Sequence, residues 1–125
     1  MHRSRLYGIF VDTPHDQAKR AVEFWGAALG VTPVPGGVDD PFTDFPGATT
    51  VAFEVQDVDD TPRYHLDIET DDVAAETARL MGLGATEEAR PDGWVVLRAP
   101  GGHLVCVVAV QSSPEAFAAA ARTWT

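Results

Sequence analysis

Three ionisable side chains, His65, Asp67 and Glu69, recur at every second position in the stretch Tyr64–Asp72. That alternation reads as a strand with two unlike faces, the intervening Leu66 and Ile68 facing something apolar. Burying three such groups on the inner side of a sheet is costly unless they line a wet cavity. An imidazole titrates near neutrality, so His65 beside carboxylates is a candidate general acid or base; structural support by a carboxylate carries equal weight. By the same period-two logic Arg5 and Tyr7 of the first strand face inward beside this trio. An available Arg5 guanidinium would recognise a carboxylate or phosphate on a ligand in bidentate fashion. A pairing of Arg5 with Glu54 or Asp67 is the structural alternative. Cys106 sits in an apolar strand without a basic neighbour, and an inert buried thiol is its default reading.

The elements that must position these groups follow in order. Arg3–Asp12 reads as an apolar strand, and Thr13-Pro14 as a capping residue with proline at the first helical position. Ala18, Ala21, Val22, Trp25, Ala28 and Leu29 recur at helical spacing up to Gly30, so this helix buries one face, with Trp25 in the helix–sheet core. Residues 31–34 read as a short strand, 35–46 as a long loop carrying Phe42 and Phe45, and 49–55 as a strand. Asp71 and Asp72 stop the central strand and cap a shorter helix from about Val73, closed by Gly82 or Gly84. Strands are expected over 85–88, 94–98 and 103–110, and a helical alanine-rich tail over about 114–122. His103 and the run Asp57, Asp59, Asp60 read as solvated surface. Trp94, Phe42, Phe45 and Tyr64 are candidate aromatic walls, although each alone is more often packing.

The order repeats. Leu29-Gly30 and Leu83-Gly84 are offset by as much as Pro46-Gly47 and Pro100-Gly101, so no insertion separates the copies. The expected fold is α+β: two βαβββ modules, about 3–56 and 63–110, forming one domain with a curved mixed sheet around a cavity and helices outside. The 125 residues suit one compact domain, and their apolar share of 45% is ordinary. A net charge of −10 argues against nucleic acid or an anionic membrane as partner. No run is long enough to span a bilayer, and no signal peptide is read. A single cysteine fits a cytoplasmic protein.

The segment Phe24-Trp25-Gly26-Ala27-Ala28-Leu29-Gly30 resembles a signature of the glyoxalase/bleomycin-resistance family, in the vicinal oxygen chelate superfamily. His65-Leu66-Asp67-Ile68 is similar to the strand opening its second module, and Pro100-Gly101-Gly102-His103-Leu104 to its last hairpin. The resemblance implies a small-molecule cavity and a homodimer. It leaves the activity open, because the fold hosts lyases, isomerases, dioxygenases, thiol transferases and non-catalytic drug-binding proteins. In the family's metal-dependent members each module supplies one ligand from its first strand and one from its last. Those four positions hold Arg5, Ala52, His65 and Cys106 here, and only His65 matches. The expectation is therefore a degenerate site with no assigned metal or other cofactor, binding or sequestering an organic compound, an anionic one if the Arg5 guanidinium is available. Its ligand contacts would be Arg5, Tyr7, Asp67, Glu69, Trp94 and Cys106, with His65 and Glu54 as the candidate catalytic pair. The alternative is a glyoxalase-type lyase or isomerase whose divalent metal is held by His65, Glu54 and Cys106.

Overall fold

The computed structural model describes residues 1–125. The chain folds as β1 (His2–Pro14), a 3-10 turn (His15–Gln17), α1 (Ala18–Leu29), β2 (Val34–Pro35), β3 (Phe42–Asp44) and β4 (Ala52–Val58). It continues with β5 (Arg63–Thr70), α2 (Val73–Gly82), β6 (Thr86–Ala89), β7 (Val95–Arg98), β8 (Leu104–Ala109), α3 (Pro114–Ala120) and β9 (Arg122–Trp124). The class is mixed α+β. No helix is long and apolar enough to cross a membrane. Two compact units are formed, one from Met1–Tyr7 with Leu66–Thr125 and one from Gly8–His65.

In the Gly8–His65 unit, β1 runs parallel to β4 with Phe10 opposite Glu54 and Asp12 opposite Gln56. β3 lies antiparallel on β4, and β2 on β3. Val11, Phe45 and Val55 form the core, covered by Ala21, Val22 and Trp25 of α1. Trp25 is thus a helix–sheet packing residue, as its spacing predicts. Phe45, expected in a loop, is only 1% exposed and anchors this core. Gly30 ends α1 with φ of 71°, the left-handed cap that glycine adopts without steric cost. Gly26 has a different reason to be glycine: a Cβ there would stand 2.9 Å from Pro33 Cγ.

The start of α1 departs from expectation. β1 continues through Pro14, a 3-10 turn follows, and the α-helix has no side-chain cap. Thr13 spends its hydroxyl on the Val11 carbonyl, a local bond that competes with capping. The strand expected over 31–34 shrinks to Val34–Pro35.

In the other unit, β8 lies beside β5, β7 is antiparallel to β8, and β6 borders β7 with a register shift between Glu87 and Ala89. Val95, Leu97, Val105 and Val107 bury one sheet face beneath Val73 and Leu80 of α2. Asp72 caps α2 by accepting from the Ala75 amide, as predicted. α2 has 10 residues against the 12 of α1 and starts directly after Asp72, whereas the end of β1 and the 3-10 turn stand between Asp12 and α1; together these make the spacing of Asp12 and Asp72 from the later landmarks unequal. Ser113 caps α3. The tail is not helical to its end: Arg122–Trp124 pairs antiparallel with His2–Ser4. Within each unit the internal order matches, a strand, a helix and three strands, the last lying beside the first.

Candidate functional site

In the Gly8–His65 unit, β1 and β5 bring together Phe10, Asp12 and His65. Val11 points into the α1 core, so Phe10 and Asp12, one residue either side, face the other way. His65 Nδ1 lies 2.8 Å from Asp12 Oδ2, and both residues are buried. The His65 ring stacks on Phe10 with centroids 4.8 Å apart and planes 8° from parallel. Phe42 meets Phe10 edge-on at 5.9 Å. Arg63 Nε approaches Asp12 Oδ2 at 3.4 Å, while Asp12 Oδ1 has no hydrogen-bond partner. A carboxylate so little solvated favours positive charge beside it. An ionised Asp12 also fixes the tautomer: Nδ1 donates, and Nε2 carries the ring lone pair. Glu54, in register with Phe10 on the neighbouring strand, shares that face of the sheet.

Arg5 and Glu69 form an ion pair in the other unit, with Nε 2.6 Å from Oε2. The pairing with Glu54 or Asp67 considered from sequence is replaced by this one. Glu69 is fully buried and also accepts from the amides of Gln111 and Ser112 at 2.7 and 2.9 Å and from the Ser112 hydroxyl at 2.7 Å. Burial alone would push its carboxyl up; the amide and hydroxyl of Ser112, the Gln111 amide and Arg5 outweigh it and hold it below the usual glutamate value. Asp67 and Cys106 sit on the sheet face opposite the α2 core, their donor atoms within 4.8 Å of each other. Asp67 is thus an acid that lies against the thiol in this unit. Tyr7 is half-buried on β1.

The remaining aromatic candidates divide. Tyr64 and Trp94 are 63% and 41% exposed. Phe45 belongs to the core and is no ligand wall. Among the expected surface groups, His103 is exposed, Asp57 pairs with His15 at 2.7 Å, and Asp60 with Arg63 at 2.7 Å.

Two polar centres escape sequence reasoning. Asp12 reads there only as the residue closing a strand, although an acid among Ile9, Phe10 and Val11 is itself a signal. Glu76, fully buried on α2, accepts from Ser4 and Arg79 and lies 2.7 Å from His2 Nε2. Burial would raise its carboxyl, but Arg79, His2 and Ser4 together lower it. The helical pattern offers only Arg79, three residues on; His2 and Ser4 come from the far N-terminus.

Comparison with solved structures returns the same architecture at low identity. Methylmalonyl-CoA epimerase from Mycobacterium tuberculosis superposes with a TM-score of 0.55 at 18% identity, over 92% of this chain and 91% of that one. The Streptomyces coelicolor methylmalonyl-CoA epimerase, solved in complex with 2-nitronate-propionyl-CoA, gives 0.55 at 16% identity over 86% and 98%. A hypothetical protein from Bacillus halodurans C-125 gives 0.59 at 12% identity over 88% and 96%. These likenesses establish the fold. No curated protein matches the sequence. Residues 8–108 match the glyoxalase-like domain profile, most of the chain, and the protein belongs to the glyoxalase-like domain family.

Proposed function

We propose that this protein binds a small organic molecule and that His65, held by Asp12, is its central polar contact. The observation that carries the reading is the buried 2.8 Å contact between His65 Nδ1 and Asp12 Oδ2 on the Phe10 ring. Such a pair is expensive to assemble in an apolar strand, and it directs one imidazole nitrogen away from its support. Phe42, half-buried against the buried Phe10 ring, supplies an apolar surface, and Glu54, on the same face as Phe10, is the second candidate for moving a proton. The reading of an anionic ligand rests on Arg5, and the commitment of its Nε to Glu69 weakens that part. The protein acts, on this proposal, as a cytoplasmic homodimer that binds or sequesters its ligand.

A second reading is favoured by the closeness of Asp67 and Cys106. Imidazole, carboxylate and thiolate are acceptable donors for zinc, and a carboxylate such as Asp12 is the usual outer support of a histidine ligand. Asp67 and Cys106 would supply the ion's carboxylate and thiolate donors, and the ion would polarise a substrate oxygen. Asp12 would keep the ring oriented, and Glu54 would carry a proton in a lyase or isomerase reaction.

Native mass spectrometry of freshly isolated protein, purified without chelator, separates the two readings. The first predicts an organic mass lost in His65→Ala and retained after EDTA. Stoichiometric divalent metal lost in both His65→Ala and Cys106→Ala supports the second.

A further inference from the structure

We infer that the unit formed by Met1–Tyr7 and Leu66–Thr125 carries a separate pocket for a small amphiphilic monoanion. The pocket has a volume of about 270 Å³ and lies against Leu6, Leu66 and Ile68, with Arg79, Arg122 and Trp124 around it. Arg5 lines it too, with its Nε on Glu69, but neither His65 nor Asp12 does, and the inference goes beyond the function proposed above.

Its electrostatics run against the rest of the chain. Nineteen acidic residues face nine lysines and arginines in the sequence, and most of the arginines are spent on carboxylates. Arg122 is in no ion pair. Glu76, the one acid lining the pocket, is already answered: Arg79 and Ser4 donate to it and His2 lies at hydrogen-bond distance. Arg79 uses Nε and Nη2 on Glu76 and rests its guanidinium 3.8 Å from the centroid of the Trp124 ring. Its third nitrogen makes no hydrogen bond. Arg5, the third arginine at the pocket, is paired with Glu69 and Arg79 with Glu76, so Arg122 leaves one local positive charge, and the distant acids are screened over about 10 Å at ordinary salt.

The apolar part is equally specific. Leu6 and Leu66 are each 41% exposed, a pair of large side chains left open beside the arginines. A guanidinium with free donors binds a carboxylate or sulfonate, and the leucines take a short hydrocarbon. The volume is just below the range for drug-sized ligands, which limits the occupant to about eight to ten non-hydrogen atoms. β9 supplies both Arg122 and Trp124, so pairing of the tail with β1 completes the site.

The test is an NMR titration of the full chain with hexanoate, hexan-1-ol and hexylamine, following the Trp124 indole N–H, assigned with Trp124→Phe. That proton donates to Ser4 at the pocket wall. Hexanoate is expected to shift it saturably, hexan-1-ol weakly and hexylamine not at all. Arg122→Gln, an exposed change that spares the fold, should weaken hexanoate about tenfold, and Leu66→Glu should abolish its binding. No shift at millimolar hexanoate, hexylamine binding as tightly, or unchanged affinity in Arg122→Gln each overturns the proposal.

Discussion

His65 and Asp12 stand 2.8 Å apart although 53 residues separate them. The contact joins the end of β1 to the start of β5. Its geometry predicts an imidazole with the proton on Nδ1. Asp12→Ala removes the acceptor and should destabilise the protein by about 2 kcal/mol, the cost of leaving a buried donor unpaired. Asp12→Asn preserves an acceptor and should restore most of that loss while weakening any step that needs positive charge on His65. Urea unfolding of the two variants checks the difference.

Glu69 and Glu76 make the fold sensitive to acid. Both carboxyls lie below their ordinary value of 4.5 in the folded protein. A depressed folded value means stability that is complete above the unfolded pKa and lost as pH falls through the folded one. Stability should therefore hold above pH 4.5 and decline below it. Glu69→Gln should cost about 3 kcal/mol at pH 7, since it leaves Arg5 without its counter-charge, and should flatten the acid limb. Thermal denaturation between pH 3 and 7 reads both effects.

His15 titrates in the opposite sense. Its hydrogen bond and charge contact with Asp57 raise its pKa above 6.5. The stabilising contribution is present below 6.5 and disappears as pH rises through the folded value. In an NMR titration the His15 midpoint should lie above 6.5 and return toward it in Asp57→Asn. A midpoint indifferent to Asp57 would contradict the pairing.

Gly26 is a packing residue, so Gly26→Ala should destabilise by about 2 kcal/mol through overpacking against Pro33. The usual helix preference for alanine predicts the opposite sign. Denaturant unfolding decides between them.

How much of this is legible in the sequence follows from range. The alternation of His65, Asp67 and Glu69, the Asp72 cap and the Gly30 stop are local patterns, and each appears where its pattern puts it. Partners are not local. Arg5 finds Glu69 across 64 residues, and Glu69 also takes the amides after β8, which no side-chain alphabet encodes. The tail illustrates the same limit: alanines propose a helix, but Trp124 leaves it because its indole reaches Ser4 and Arg79. Asp12 is the instructive case, a charged residue inside an apolar strand whose meaning depends on a histidine 53 positions away on β5.

The most direct test of the account is a long-range ¹H–¹⁵N spectrum of the His65 imidazole, recorded before and after adding a low-molecular-mass extract of the expression host. The account predicts a proton on Nδ1 and an Nε2 resonance that moves when the extract is added. A proton resident on Nε2, or an imidazole indifferent to every fraction of the extract, would contradict it.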